Sequence, residues 1–355
     1  MSFKEIFKQK AEIIQSAHAR VNLIGEHTDY TGGFVLPTLL KFKTTLEIAK
    51  NDQEQYQVYS EHFKEKKIFS DFIKSKNNDW IDYIKGCLFV YYDECKYISN
   101  THLNIYISSN IPMERGISSS SALCVGILKS LNEFFKSQIS DKHIAILAQK
   151  VERDYIGVSG GIMDQMVSSI GIHRKAFFLD CLNLKYQLFN IPNNWKFYLV
   201  DSAVQRNLRD SSYNERYSQL KKAEKEIGVE YLGSVKLKNF NKEKIADPTI
   251  HKRANHVVTE NDRVLKAIKV MNENDINEFG KLMIESHLSY SNDFEASNKD
   301  VDLIVENSIK AGADGARLTG GGFGGFTVSL IEENKLDKWL KQMSSIYDIN
   351  NFFEV

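Results

Sequence analysis

Three things are scarce in this sequence: cysteine, proline and a charge imbalance. Only four cysteines occur in 355 residues, Cys87, Cys95, Cys124 and Cys181. None shares a Cys-x-x-Cys spacing and each lies among apolar neighbours, so they read as reduced core residues of an intracellular protein. The four prolines, set beside many Lys and Asn, reflect a compositional habit and carry no function. Lys plus Arg and Asp plus Glu are equal at 46 each. Without a global field there is nothing to draw in nucleic acid or an acidic membrane, and any bound anion must be held by local geometry. No apolar run approaches the ~18 residues of a membrane span. The N-terminus, Met-Ser-Phe-Lys-Glu-Ile-Phe-Lys, lacks the apolar core and cleavage site of a signal peptide, so a cytoplasmic protein is expected. No internal repeat or low-complexity tail is found.

With 42% hydrophobic and 26% charged residues, the composition is that of a soluble globular protein. The length suits two domains, each with its own core. A change of pattern near residues 172–185 marks the expected boundary, giving lobes of 1–178 and 179–355.

The densest polar cluster lies between Ala19 and Pro37. Val21, Leu23 and Ile24 form an apolar run that stops at Gly25. Glu26, His27, Thr28, Asp29 and Tyr30 follow together before Gly32-Gly33, and Phe34-Val35-Leu36 is apolar again. Burying such a cluster between core strands is costly unless its groups are paired or meet a ligand. Two carboxylates, an imidazole and two hydroxyls facing one pocket suit the many hydroxyls of a sugar. The competing reading is a polar hairpin tip.

A second stretch runs from Pro112 through Met-Glu-Arg-Gly-Ile-Ser-Ser-Ser-Ser-Ala and reads as a tight loop opening a helix from about Ser119 to Phe135. The first turn of a helix leaves N–H groups without partners and favours an anion. Gly116 allows the bend, and four hydroxyls either cap the helix or grip phosphate oxygens and a metal. The Gly-x-x-x-x-Gly-Lys-Ser/Thr phosphate loop is not matched. Asp141 is the expected cap of the next helix, with Glu152 at the edge of its apolar stripe, where a solvated glutamate is the ordinary expectation. Asp164 sits three residues into a further helix, either as a structural cap or as a placed base. A glycine run, Thr319-Gly-Gly-Gly-Phe-Gly-Gly, lies between two strands, where phosphate approach and plain turn chemistry are both open.

The remaining pattern predicts a surface helix over residues 3–15, strands at 44–49 and 56–59 continuing an antiparallel sheet, and a solvated loop with a strand inside it over 64–78. It also predicts a helix over 80–92 and strands at 103–107, 177–179, 186–191 and 196–201. Helices follow through Tyr213 to Ala223, over 250–273, 275–288, 301–311 and 336–343, and a last strand at 352–355.

Taken together, these stretches resemble the galactokinase branch of the GHMP small-molecule kinases. Arg20-Val-Asn-Leu-Ile-Gly-Glu-His-Thr-Asp-Tyr is similar to that family's sugar signature, and the serine loop resembles its ATP motif. Gly161-Ile-Met-Asp-Gln, the tract Arg253-Ala-Asn-His-Val-Val-Thr-Glu-Asn-Asp-Arg-Val and the glycine run match in order, so the resemblance covers residues 19 to about 331. It implies a two-lobed α+β fold, each lobe a mixed or antiparallel sheet packed with helices, with the active site between lobes. It also implies transfer of the ATP γ-phosphate to the anomeric hydroxyl of galactose. By the same resemblance Asp164 is the general base and Arg20 neutralises charge on that base or on the phosphoryl group. Glu26, His27, Thr28, Asp29, Gly161 and Tyr213 fall on sugar-binding positions. Glu114, Arg115, Gly116, Ile117, Ser118, Ser119 and Ser120 form the ATP loop, and Ser120 and Glu152 match ligands of Mg²⁺. Phosphoryl transfer needs chiefly alignment and neutralised charge, which such parts supply.

Several departures stand beside the match. Ala17-His18-Ala19 replaces Ala-Pro-Gly before the arginine. Glu114-Arg115 replaces Gly-x before Gly116, and a carboxylate ~6 Å from one phosphate charge costs ~3 kcal/mol at an effective dielectric of ~20. Glu114 is therefore expected to point outward or pair with a cation, and Arg115 to add a phosphate contact. Asn298 and Phe326 stand where the family often has cysteine and are expected to be packing changes; the family's Gly-Ala extension is missing after Val355. A kinase for a related sugar, such as N-acetylgalactosamine or L-arabinose, and a non-catalytic sugar and ATP sensor remain the alternatives. Oligomeric state is left open.

Overall fold

Seventeen residues, Ser119–Phe135, form the helix that the apolar spacing after the serine run predicts, and most other elements also fall where the pattern puts them. The computed structural model describes residues 1–75, 79–96, 101–112, 115–158, 160–204 and 209–355. In chain order, α1 (Phe3–Phe7) and β1 (Ile13–Asn22) precede β2 (Phe34–Val35) and β3 (Pro37–Asn51). Strands β4 (Tyr56–Ser60) and β5 (Glu65–Phe69), helix α2 (Ile81–Cys95) and β6 (His102–Ser109) come next. Helices α3 (Ser119–Phe135), α4 (Asp141–Lys150) and α5 (Met163–Ile170) follow, then β7 (Lys175–Asp180), β8 (Lys185–Asn190) and β9 (Trp195–Asp201). The remainder is α6 (Arg209–Ile227), α7 (Pro248–Asn272), α8 (Ile276–Asn292), α9 (Lys299–Lys310), β10 (Gly315–Leu318), β11 (Phe326–Glu332), α10 (Leu336–Ser344) and β12 (Phe352–Glu354).

The described residues divide into two compact units that interleave along the chain. The first comprises Met1–Arg20, Leu40–Pro112 and Ser118–Ile170, and the second Val21–Leu39, Met113–Ile117 and Gly171–Val355. The first holds a five-stranded sheet in the order β1-β3-β6-β4-β5. Strand β3 pairs antiparallel with β6, Ile48 opposite Ile105, but β4 pairs with β6 in parallel, Val58 opposite Ile105. The sheet is therefore mixed, where simple continuation predicts an antiparallel one. The expected helix over 3–15 stops at Phe7, because Lys8 turns left-handed at φ 58°. Glu12 then donates its N–H to Ile48 and starts the strand pairing. Ser140, not Asp141, caps α4 by accepting from the His143 N–H, and Asp141 is the first helical residue.

The second unit has a four-stranded antiparallel sheet, β10-β11-β9-β12, and a three-stranded one, β2-β7-β8. Asp247 caps α7 with Pro248 in the first turn, the arrangement that suits a proline lacking an N–H. Helices α6 to α9 share a core with Leu220, Ile250, Val257, Tyr290 and Val301, and Tyr30 of the polar stretch packs into it. Helix α8 lies against β10 so closely that a Cβ on Gly280 would fall 1.9 Å from the Asp314 carbonyl oxygen. Asn298 caps α9 through its side-chain oxygen, a role beyond the packing change expected for it. Phe326 is fully buried. Cys87, Cys124 and Cys181 are buried free thiols, while Cys95 is half-buried. No helix of the described residues is long and apolar enough to cross a membrane.

Candidate active site

Each unit gathers its own set of the polar residues singled out in the sequence. In the first unit, Arg20 leaves β1 with its side chain buried and meets Asp164 on the first turn of α5. Arg20 Nε donates to Asp164 Oδ1 at 2.7 Å and Nη2 to Oδ2 at 2.8 Å, a two-point guanidinium–carboxylate pair. Asp164 remains 24% exposed while Arg20 is 6% exposed, so the carboxylate is the member within reach of a ligand. Ser118 Oγ donates to Asp164 Oδ2 at 2.5 Å.

The serine run does not cap its helix. Ser118 occupies the N-cap position at φ 68° and makes no side-chain cap bond. Its neighbours turn to a second carboxylate instead: Ser120 Oγ donates to Glu152 Oε1 at 2.6 Å and Ser121 Oγ to Oε2 at 2.7 Å. Gln165 Nε2 also donates to Glu152 Oε2, at 2.5 Å. The capping interpretation of these hydroxyls thus gives way to one in which they line two acids. Ser119 and Ser120 keep partial exposure at the helix tip, and Ile117 is buried.

Glu152 is not the solvated helix glutamate that its position at a stripe edge suggests. Helix α4 continues as a π-helical turn, Val151–Ile156, and Glu152 lies inside it with 8% exposure. Such turns occur often at functional sites because they re-aim one side chain. Burial pushes the Glu152 carboxyl above its ordinary value, against the three hydrogen bonds that favour its charged form. Gly161 is partly exposed just ahead of α5. Among the described residues, no three His, Cys, Asp or Glu side chains cluster as a metal held by protein alone would need.

In the second unit the polar loop after β1 folds into a nest of buried bonds. Glu26 Oε1 accepts from Arg317 Nη1 at 3.1 Å, Thr319 Oγ1 at 3.1 Å and the Gly320 N–H at 3.0 Å. All three donors fall on one oxygen, so Oε2 is the one left to a ligand among the described residues. Thr28 is fully buried, and its hydroxyl faces the carbonyls of Gly25 and Phe34 at 2.9 and 2.6 Å. It closes the loop on itself, a bond internal to the loop where the resemblance implies a sugar contact. Asp29 is partly exposed and opens a short 3-10 turn. His27 is buried, with Nδ1 at 2.8 Å from the Tyr30 hydroxyl and Nε2 at 2.9 Å from that of Tyr290. The Tyr213 ring lies 5.4 Å from it, centroid to centroid. Burial, reinforced by the fields of His256 and Arg216, holds the His27 imidazole neutral, well below its usual range.

Helix α7 supplies the bed on which this loop rests. Glu260 Oε1 accepts the Gly25 N–H, His256 Nε2 lies 3.3 Å from the Glu26 carbonyl, and Asn261 Oδ1 accepts the Phe34 N–H at 2.8 Å. Burial alone would raise the Glu260 carboxyl, but Arg263 and Arg317 outweigh it and hold the group far below the usual carboxylate range. The tract Arg253–Val264 stood out in the sequence as a match to be explained, and this contact set explains it. Arg317 and Tyr290 were not foreseen. The available signal for Arg317 is a lone arginine in a short apolar strand directly before the glycine run. Arg115 forms an ion pair with Asp201 on β9 at 3.1 Å. Gly116 approaches the glycine run, since a Cβ on Gly320 would lie 2.6 Å from its carbonyl oxygen. Glu114 lies outside the described residues.

Known proteins resemble this chain over nearly its whole length. The galactokinase galactose-binding signature matches residues 1–50, the GHMP kinase N-terminal domain residues 82–171, and the GHMP kinase C-terminal domain residues 265–349. A galactokinase of Fusobacterium nucleatum is 36% identical over 97% of this chain and 92% of its own length. One of Clostridium beijerinckii is 37% identical over the same shares. The crystal structure of Lactococcus lactis galactokinase complexed with galactose superposes with a TM-score of 0.93 at 31% identity, covering 99% of this chain and 95% of that one. A mevalonate kinase of Methanococcus jannaschii, at 20% identity and a TM-score of 0.74, shares the fold. With the signature, both GHMP domains and near full-length relatives in agreement, the chain belongs to the galactokinase family of GHMP kinases.

Proposed function

We propose that this chain transfers the γ-phosphoryl group of ATP to the anomeric hydroxyl of galactose, giving galactose 1-phosphate. The observation that carries the reading is the two-point Arg20–Asp164 pair, with Ser118 on the same carboxylate, at a helix tip that the Ser118 side chain does not cap. The galactose in the Lactococcus lactis relative and the galactose-binding signature support the choice of sugar.

In this mechanism Asp164 orients the O1 hydroxyl and takes its proton as O1 bonds to Pγ. The bond from Pγ to the bridging oxygen breaks, and its electron pair leaves on ADP. Arg20 holds the carboxylate in place by two bonds and offsets negative charge gathering between nucleophile and phosphoryl group. Residues Gly116 to Ser120 offer main-chain N–H groups and hydroxyls to the phosphates. Glu26, Asp29, Gly161 and Tyr213 are the residues that the resemblance assigns to the sugar. His27 and Thr28 act behind them by fixing the loop.

The surroundings of Glu152 suit the Mg²⁺ that the resemblance implies. The donors are hard oxygens, and burial, together with the nearby Asp164 charge, penalises the Glu152 carboxylate in its ionised form. Gln165 Oε1 is buried beside it without a hydrogen-bond partner among the described residues. Ser120 and Glu152 would hold the ion, which when bound neutralises phosphate charge.

The test is ADP release with ATP and Mg²⁺ over a panel of galactose, N-acetylgalactosamine and L-arabinose. Galactose should be the fast substrate. Slow galactose beside a fast second sugar sinks the galactose assignment, and binding of galactose without any turnover sinks the catalytic one.

A further inference from the structure

We infer that Tyr290 is a positioning residue for sugar recognition: its hydroxyl fixes the tautomer of His27 and ties that ring to the glycine turn that holds Glu26. The inference rests on the reading that the loop carrying Glu26 and His27 faces the sugar.

Tyr290 stands near the end of α8 and is fully buried. Its hydroxyl donates to the Gly320 carbonyl at 2.8 Å. A phenol has one proton, so at the 2.9 Å contact with His27 Nε2 it must accept. His27 therefore carries its proton on Nε2, and Nδ1 accepts from the Tyr30 hydroxyl at 2.8 Å. Phe294 packs on the ring at 4.4 Å between centroids, so the imidazole is fixed in plane as well as in protonation.

The same glycine serves both sides of the loop. Its carbonyl takes the Tyr290 hydroxyl while its N–H donates to Glu26 Oε1 at 3.0 Å. Gly320 has little freedom to move: it sits at φ 84°, with the Gly116 carbonyl oxygen 2.6 Å from where a Cβ would be. Gly322 in turn leaves room for the Tyr290 hydroxyl, which would lie 2.8 Å from its Cβ. One phenol thus anchors the peptide between residues 320 and 321, and the adjoining peptide between 319 and 320, joined to it through the Gly320 α-carbon, donates to one carboxylate oxygen of Glu26 and leaves the other to a ligand. Nothing in the proposed chemistry requires this hydroxyl to touch substrate.

The experiment compares Tyr290→Phe with wild type in the full chain. Removing one buried hydroxyl takes a partner from His27 Nε2 and the donor from the Gly320 carbonyl, leaving the ring its contacts with Tyr30 and the Gly321 backbone, and KM for galactose should rise about tenfold. KM for ATP and kcat should stay within about twofold. Tyr91→Phe is the control, because the Tyr91 hydroxyl donates to the Leu131 carbonyl, away from these groups, and its loss should leave both KM values unchanged. A Tyr290→Phe protein that only unfolds at lower temperature, with both KM values unchanged, overturns the inference. Nitrogen-15 spectra of labelled histidine give a readout independent of turnover. The wild type should show His27 as the Nε2–H tautomer, and the variant a mixture. An Nδ1–H tautomer in the wild type overturns the inference even if the variant does not fold. Should no sugar be phosphorylated at all, the functional reading fails while the tautomer spectrum still decides on Tyr290.

Discussion

Glu260 Oε1 holds the main-chain N–H of Gly25 at 2.9 Å across 235 positions of sequence. The same carboxylate takes the Ser286 hydroxyl at 2.5 Å and pairs with Arg263 at 2.7 Å, with Glu260 and Ser286 fully buried. Removing one member of a buried ion pair leaves an uncompensated charge, which costs about 3–5 kcal/mol. Glu260→Gln keeps the shape and drops the charge, so its urea midpoint should fall by an amount worth about 3 kcal/mol with the slope unchanged. A loss under about 1 kcal/mol would mean that Arg263 and Arg317 balance without it.

The buried histidines of the same region set a pH dependence. Burial lowers His256 to about 4 from its ordinary 6.5. Above pH 6.5 neither the folded nor the unfolded chain protonates it, and it contributes no slope. As pH falls below 6.5 the unfolded chain binds a proton that the folded chain refuses, so stability declines until about pH 4. The loss is on the order of 3 kcal/mol over that window. His27, lowered for the same first reason, acts in the same direction. Denaturant titrations at pH 7, 6 and 5 should show the decline, and His256→Gln should flatten it. An equal slope in the variant would remove His256 as its source.

Asp164→Asn keeps a hydrogen-bonding side chain beside Arg20 and removes the proton acceptor. Turnover should fall at least 10²-fold, the usual scale for a lost general base. Galactose binding should remain measurable by calorimetry, because the side chain still accepts from Arg20 and Ser118. Turnover near the wild-type rate would take Asp164 out of the base role.

The helices and strands were legible wherever local signals decide them. The run from Ser119 to Phe135 carries its own periodicity, and Pro248 after Asp247 marks a helix start. What local signals miss is pairing set at long range. Strand β4 runs parallel to β6, a choice that alternation within Tyr56–Ser60 does not encode. Glu152 looks solvent-facing on a helical projection, and only the π-helical turn swings it inward to the serines. The serines themselves carry good capping character, and their diversion to Asp164 and Glu152 depends on residues 31 to 46 positions away. Tyr290 was invisible for a related reason: one tyrosine on an apolar helix face looks like core, which it also is.

Glu152→Gln tests the proposed ion site. The amide can keep hydrogen bonds to Ser120, Ser121 and Gln165 but offers no charge to a divalent cation. The Mg²⁺ concentration for half-maximal rate should rise about tenfold, as expected for loss of a carboxylate ligand. Calorimetry of Mg²⁺–nucleotide binding should weaken in parallel, whereas metal-free nucleotide should bind as before. An unshifted Mg²⁺ requirement would leave Glu152 as an organiser of the serines alone.

Ser118 combines two costs that a pair of substitutions separates. It holds φ 68°, a left-handed conformation that costs a residue with a Cβ roughly 1 kcal/mol and glycine nothing. Its hydroxyl is also one of three groups donating to Asp164, the others being the two guanidinium nitrogens. Ser118→Gly and Ser118→Ala both delete that hydroxyl, and only alanine keeps the strain. If the hydroxyl steers the base, both variants should lose kcat by a similar factor, about tenfold for one hydrogen bond to a charged group. In stability they should part, with glycine the more stable by about 1 kcal/mol in denaturant titration. Unequal losses of kcat that track stability would instead assign the position to backbone shape, with the hydroxyl incidental to Asp164.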